Sequence, residues 1–373
     1  MLALNIGDEV FGMDGAVYKI TAMSEVMHGH RIFDVVFDDG TVIRADGDHL
    51  WHTFTSADRE AMTKRSDAYR ARRREQRPER DKTKRPDLVE RNRVQALAHR
   101  SELVTGGTRT TLEIKETLFV QGGKRANHSI PVAAPLQMPE QEFLIDPYML
   151  GFWLGDGTSA GGSVTIGNEY AADARRLITQ AGYVIVKRGF GQYAYGVRGL
   201  QSRLRQLGLL KNKHIPEAYF LGSIEQRIAL LCGLMDTDGY ATKDGQCEFY
   251  SSSEVLIKGA SRLLHTLGIK HAIRTKKPPK DTLHNASWRI KFVAPFPVFR
   301  LPTKATRQNL NLRETQKWRY IVDVREVDSE PVKCIEIDAP DHLYLAGEAC
   351  VPTHNSDLLI GMAGTKHRRA IIF

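Results

Sequence analysis

Three short stretches carry residue types whose spacing could do chemistry. Two are alike: MLGFWLGDG closes on Asp156-Gly157, and LCGLMDTDG closes on Asp238-Gly239. Each reads as an apolar helix ending in a carboxylate. A negative side chain at the negative end of a helix is unfavourable unless a cation lies beside it. If the two helices meet side by side, with the small residues Gly151 and Gly233 allowing close approach, Asp156 and Asp238 emerge together. Such a pair suits Mg²⁺, which takes carboxylate and water oxygens and bridges to phosphate. Two such metal sites could serve the attacking water and the leaving oxygen of a phosphodiester cleavage. A single Asp-Gly could equally be a cap and turn, with the glycine at positive φ. The third stretch is VPTHNS, residues 351–356. An asparagine can attack its own backbone carbonyl and cleave the following peptide bond. The reaction needs a protonated leaving amine and a stabilised carbonyl oxygen. His354 stands beside Asn355 for that role, and the Ser356 hydroxyl could accept an acyl group.

The elements that position these residues include an internal repeat. Asp156 to Asp238 spans 82 residues, Glu169 to Glu254 spans 85, and Gly182 to Gly268 spans 86. Each Asp-Gly is followed by a strand, a helix and further strands: SVTIGN, EYAADARRLITQAG, YVIVKRG and QYAYGVRG in the first copy, and CEFYSSS, SEVLIKGASRLLHTLG, IKHAIRTKK and SWRIKFVAP in the second. Three landmarks in one order predict a duplicated unit with a pseudo-two-fold axis, which favours the metal pair over the plain cap.

A length of 373 residues allows two or three domains at roughly 100–200 residues each. The excess of 53 basic over 44 acidic residues gives +9, which favours an anionic partner such as nucleic acid. Cys232, Cys247, Cys334 and Cys350 are scattered without a Cys-x-x-Cys, so a zinc site or disulfide framework is disfavoured and a reducing cytoplasm is expected. No apolar run approaches the roughly 20 residues of a membrane span, and Asp8 and Glu9 come too early for a signal peptide.

Five regions follow. Residues 1–57 alternate as short strands, with a hairpin turn at Asp39-Gly40. Residues 58–138 form a basic linker or DNA-recognition region: the arginine-dense stretch 59–100 is either a solvated linker or an arm neutralising DNA phosphates, and order returns over 101–138, which end in a Pro-punctuated linker. Residues 139–318 hold the repeat. Residues 319–355 return to strands, and 356–373 read as a helix and the start of a strand.

LCGLMDTDG closely resembles the LAGLIDADG, or dodecapeptide, motif of homing endonucleases, and MLGFWLGDG resembles it more loosely. The resemblance implies αββαββα repeats, two concave sheets straddling duplex DNA, and Mg²⁺-dependent cleavage of both strands. Asp156 and Asp238 would be the metal-binding catalytic pair. KHIPEAY resembles the family's Lys-x-Ile-Pro element and nominates Lys213 as an electrostatic helper at the phosphate, with Lys291 a further candidate. Arg198, Lys276, Lys277 and Arg289 lie on basic strands that would either contact the DNA backbone or form solvated faces.

The flanks GTVIRADGDHLW and PVKCIEIDAPDHLYLAG, together with VPTHNS, resemble the blocks of an intein, a self-splicing Hint domain with an inserted endonuclease. The resemblance covers about residues 1–355 and implies a mostly-β horseshoe built from both chain ends. His49 would activate the upstream scissile bond. Asp46 stands where most inteins have Thr, so the usual hydroxyl contact is replaced. His342 would be a second assisting histidine, Asn355 the cyclising residue, His354 its partner, and Ser356 the first residue of a covalently attached host segment. Trp51, Cys334 and Thr353 match the Trp-Cys-Thr pattern of class 3 inteins, in which the cysteine attacks the upstream junction; alternatively Trp51 and Cys334 fill the β core.

Met1 lies just ahead of Ile6-Gly7-Asp8-Glu9, where inteins carry earlier strands, so the resemblance implies an N-terminally truncated element with impaired splicing. The tail SDLLIGMAGTKHRRAIIF resembles the segment after a P-loop lysine, as in phage terminase large subunits. The expectation is therefore a multidomain chain, a β horseshoe plus an α+β endonuclease, monomeric, bound to double-stranded DNA in a bacterial or phage-infected cell. The competing functions are a non-cleaving DNA-binding module and an autoprocessing Hint domain with an inactive nuclease.

Overall fold

The computed structural model describes residues 4–65, 105–187, 193–276 and 286–355. Two bodies share the chain, and the architecture is the one expected: a β body from both chain ends, and a pseudo-symmetric α+β unit between them.

In the β body, Ile32–Phe37 and Val42–Asp46 form an antiparallel hairpin. Its turn is Asp39-Gly40, with Gly40 at φ 90° and the Asp39 carboxylate accepting from the Thr41 amide. The long strand Trp318–Val327 from the other end of the chain pairs with Ile32–Phe37. Ile335–Ile337 likewise pairs with Val17–Met23. The strands that end in VPTHN form a hairpin, Leu343–Ala346 with Val351–His354. Phe33, Val35, Phe37, Trp51, Ile321 and Val351 fill the core beneath them.

Order does return after residue 104, and it joins the β body. Gly107–Thr110 pairs with Leu50–Thr53, and Ser129–Pro131 pairs with Trp318–Val327, so both extend the β body rather than linking it. Arg59 heads the arginine-rich stretch yet is 6% exposed. Its Nη1 donates to the carbonyls of Phe54 and Asn127 and to the Ser129 hydroxyl at 2.6, 2.9 and 2.7 Å. A guanidinium can be buried where its donors meet backbone acceptors, so Arg59 anchors the fold and does not serve as a DNA arm. Residues 66–104 lie outside the described residues, as does the tail 356–373.

The chain leaves the β body at Val132, whose amide donates to the Lys317 carbonyl at 2.9 Å, where the chain returns. Between these neighbours lies the duplicated unit. Its first copy runs helix Pro147–Asp156, strand Ser163–Thr165, helix Ala171–Gln180, strands Ile185–Lys187 and Ala194–Val197, helix Leu200–Gln206. The second runs helix Ile224–Asp238, strands Gly239–Ala241 and Cys247–Ser251, helix Glu254–Thr266, strands His271–Lys276 and Ser287–Phe292, helix Pro302–Ala305. In the first copy the leading strand shrinks to a bridge between Gly157 and Val164.

The two motif helices are capped by their own sequence. Asp146 accepts from the Met149 amide at 3.0 Å, and Ser223 with Gln226 forms a capping box. The first helix is buried from Pro147 through Leu154, as an all-apolar helix must be. The helices touch backbone to backbone. A Cβ on Gly151 would sit 2.2 Å from the Leu230 carbonyl oxygen, and one on Gly233 2.2 Å from that of Tyr148.

Gly233→Ala is expected to destabilise the α+β unit by about 2–4 kcal/mol, because no neighbouring backbone can retreat. Gly161→Ala is the near-neutral control, its Cβ being at least 3.8 Å from any neighbour. Thermal unfolding of the two variants checks this.

Candidate functional site

Asp156 and Asp238 end the two crossing helices, both half-buried. Burial raises the pKa of both, and the Asp156 charge raises Asp238 further, to about 6. The two carboxylates lie close together: Asp238 Oδ2 is 3.2 Å from where a Cβ on Gly155, the neighbour of Asp156, would sit. The glycines that follow play a different part from the one expected. Gly157 and Gly239 are extended, with φ −78° and −90°. They are needed because a Cβ would strike the Trp153 carbonyl oxygen at 2.2 Å and the Met235 carbonyl oxygen at 2.4 Å. The left-handed helix-end turns fall instead at Gly182 and Gly268, φ 85° and 66°.

Lys213 reaches this pocket. Its ammonium donates to the carbonyls of Leu154, Gly155 and Gly157 at 3.0, 3.1 and 2.7 Å. That uses its three N–H groups, so it acts on the pocket as a charge rather than as a free donor. Lys304, which the sequence reading missed, does the same for the second helix. It donates to Met235, Asp236, Thr237 and Gly239 carbonyls at 3.2, 2.8, 2.9 and 2.8 Å. Burial lowers both ammonium pKa values, and both carboxylates raise them. The two negative helix ends and two carboxylates are thus offset by two cations.

Asp236, also unforeseen, is fully buried. It accepts from the Arg300 and Leu301 amides at 3.0 and 3.1 Å and from the Tyr148 hydroxyl at 2.9 Å. It therefore pins the segment that delivers Lys304.

Neither Asp156 nor Asp238 accepts a hydrogen bond from the described residues, and burial with mutual repulsion makes their ionised pair costly. Open, hard, mutually repelling oxygen donors fit a divalent hard cation. No cluster of three or more His, Cys, Asp or Glu occurs among the described residues, so water or phosphate oxygens would have to complete the shell.

The second centre lies at the end of the β body. His49 is 1% exposed. Its Nε2 shares a hydrogen bond with the Thr353 hydroxyl, its Nδ1 has no partner, and burial pushes its pKa down to about 3. The neutral ring stands edge-on to Trp51 at 4.8 Å, and the indole N–H donates to the Thr111 hydroxyl at 3.0 Å. Asn355 is fully buried. Its amide N–H donates to the His342 carbonyl at 2.7 Å, and its Nδ2 donates weakly to the Ile337 carbonyl at 3.4 Å. With Nδ1 protonated, His354 donates to the Asn355 carbonyl oxygen at 2.6 Å, the oxygen where charge would develop on side-chain attack. The exposed His342 ring stacks on His354 at 6.0 Å.

Asp46 is buried and pairs with His30 Nδ1 at 2.5 Å while accepting from the Asp48 amide at 2.7 Å; His30 was not foreseen. Cys334 packs beside Ile32 and Val332. It lies close enough to the buried Tyr344 hydroxyl to add to the upward pKa shift that burial imposes there. Tyr344 is in register with Thr353. Ser356 lies outside the described residues.

Residues 225–294 match the family model of the LAGLIDADG-like domain. The match covers the second motif helix and its four strands. Over 375 aligned residues, 98% of the chain, it is 35% identical to a replicative DNA helicase DnaB of Mycobacterium intracellulare. The chain spans 58% of that relative's length. It is 49% identical over 55 residues to a DnaB of Mycobacterium leprae, 14% of this chain and 9% of that one. Among solved structures, the Msm DnaB1 intein splicing domain bound with zinc aligns over 95% of this chain and 88% of its own, at 13% identity and a TM-score of 0.27. I-DmoI in complex with DNA and Ca aligns over 44% and 95%, at 19% identity and a TM-score of 0.30.

On the LAGLIDADG-like sheet, Arg289 and Lys291 both point to the outer face, where they meet Glu248 at 3.5 and 2.5 Å. Lys276 ends the strand His271–Lys276 on the same sheet. Lys277 lies outside the described residues. Arg198 is exposed just beyond the strand Ala194–Val197 of the first copy.

Because Asp238 has a raised pKa in the folded state, its ionisation removes stability as pH rises from the unfolded value near 4 through about 6. Asp238→Asn is therefore expected to raise Tm by a few degrees at pH 7.5 in chelator, with the gain shrinking toward pH 4.5. Divalent cation should lift the wild type selectively. Melting curves across pH, with and without Mg²⁺, check this.

Proposed function

We propose that the chain is an intein-type β body carrying a LAGLIDADG-type endonuclease, which cuts both strands of a long duplex DNA site. The observation that carries it is the joint emergence of Asp156 and Asp238 from two helices in backbone contact, each helix end held by a half-buried lysine. Asp156 and Asp238 would hold Mg²⁺, which supplies Lewis-acid stabilisation and a nucleophilic water at neutral pH. Lys213 and Lys304 keep the pocket's charge balanced while the carboxylates are ionised. They also offer positive potential to a phosphate entering between the helix ends. Arg198 and the outer-face residues Arg289 and Lys291 would face the duplex, and Lys276 and Lys277 remain the candidates that the sequence names for backbone contact. The domain ranges named from the sequence stand in this reading, with residues 105–131 reassigned to the β body.

The same reading gives the β body autoprocessing chemistry. Asn355 would cyclise, with His354 on its carbonyl oxygen, His342 stacked behind, and the buried Asn355 oriented by two carbonyls. His49, buried beside Trp51 and Thr353 with Nδ1 unpartnered, would meet the upstream junction, and Asp46 would shape the turn that carries it. Cys334 and Ser356 would be the acyl acceptors. Identity to two DnaB proteins supports a replicative-helicase gene as the host of the 356–373 segment in preference to the terminase expected from the tail. No helix of the described residues is long and apolar enough to cross a membrane. None of the four cysteines is in a disulfide, in keeping with the reducing compartment expected from the sequence, and the chain would work as a monomer.

A supercoiled plasmid carrying the uninterrupted host-gene sequence should be linearised in Mg²⁺ and spared in chelator. Asp156→Asn and Asp238→Asn should each lower the rate at least about a hundredfold; tight binding without any metal-dependent cut would leave only a DNA-binding module. Mass spectrometry should show slow loss of residues 356–373, absent in Asn355→Ala. An unchanged mass in both after long incubation would remove the autoprocessing half.

A further inference from the structure

The four-stranded sheet of the second repeat carries an acid on the face that the nuclease reading turns toward DNA. Glu248 is 4% exposed and lies in register with Lys291 on one side and Tyr240 on the other. Arg289 is in register with Tyr250 and with Arg274. All six side chains share the outer face, while Cys247, Phe249, Ile290 and Phe292 fill the core. One Glu248 oxygen meets Lys291 Nζ at 2.5 Å and Arg289 Nη1 at 3.5 Å. The other accepts from the Tyr250 hydroxyl. Burial raises the Glu248 pKa, yet the bonds from Lys291 and Tyr250 outweigh it and hold the carboxyl below its ordinary value.

A carboxylate on a face that meets a polyanion opposes affinity. Were attraction the purpose of this patch, an acid would be the wrong residue at its centre. What Glu248 supplies is orientation. Unrestrained Lys and Arg side chains swing to phosphates, which fix register but carry no sequence. An Arg289 guanidinium restrained by the charge of a single Glu248 oxygen at 3.5 Å and by Tyr250, 6.0 Å from its ring centre, keeps most of its five donors open in a fixed fork, the geometry that matches the O6 and N7 edge of guanine.

We propose that Glu248 is a positioning residue for sequence recognition: it holds Arg289 and Lys291 off the phosphates and aims Arg289 at a guanine edge in the target. This rests on the nuclease reading for the choice of face. The first test is binding selection from a randomised duplex library in Ca²⁺ with the full chain, comparing wild type with Glu248→Gln, Arg289→Ala and the double variant. Wild type should enrich a site with guanine at a fixed position, and Glu248→Gln should lose about tenfold or more of that preference. Freed cations should also tighten non-specific binding, and the plot of log K against log salt should steepen by about one unit. Once Arg289 is removed, Glu248→Gln should add nothing at that position. The proposal is overturned by a wild type that enriches no sequence, by a Glu248→Gln profile equal to wild type at an unchanged melting temperature, or by additive effects in the double variant. Should Glu248→Gln melt early, the double variant against Arg289→Ala decides on the same terms. Cleavage of the selected sites in Mg²⁺ is scored separately, so its failure removes the nuclease reading without deciding the role of Glu248.

Discussion

The approach of two helix backbones through Gly151 and Gly233 is the constraint on which the rest of the molecule depends. Only residues without a side chain let the Tyr148 and Leu230 carbonyls face the opposing glycine Cα at contact distance. At that separation the helix ends cannot diverge, so two carboxylates, two sets of terminal carbonyls and two negative helix ends converge in one place. Such a focus of negative charge would push the helices apart. It persists because Lys213 and Lys304 each lie across one helix end and saturate its carbonyls. The site is then held in tension between repelling carboxylates and bridging ammonium groups. In the proposed function it would receive a divalent ion and the phosphate that the ion accompanies.

The β body solves a related problem with neutral groups. Asn355 and His49 are both buried where a charge would be costly, and each retains one unpartnered atom, Oδ1 of Asn355 and Nδ1 of His49. Buried polar atoms without partners are scarce in folded proteins. Five occur among the described residues, and two of them lie on residues that the sequence alone marks as chemically capable.

Much of this was legible before any coordinates. The spacing of Asp156 and Asp238, the glycines inside the apolar runs and the VPTHNS junction are local patterns, and local patterns survive folding. The missed features are those whose meaning depends on partners far away in the chain. Lys304 sits in Leu-Pro-Thr-Lys, after its proline, whereas Lys213 precedes its own in Lys-His-Ile-Pro, so the two lysines look unrelated until both are seen on helix ends. Asp236, two residues before Asp238, was read as part of the motif, yet its carboxylate serves backbone amides some sixty residues away. Arg59 was read with its arginine-rich neighbours because composition cannot reveal which guanidinium finds carbonyls. Gly157 and Gly239 were correctly linked to the helix ends for the wrong physical reason, crowding rather than handedness.

The way the chain departs from and re-enters the β body has an evolutionary corollary. Val132 and Lys317 are joined by a main-chain hydrogen bond, so the duplicated unit enters and leaves the β body at one rung of a ladder. Losing the module would break that rung and the ties that Lys270 makes to Asp38 and to the Trp318 carbonyl, while leaving the strand pairings of the β body closed. Genetic invasion and excision could therefore proceed without the recipient body ever passing through an unfolded ancestor.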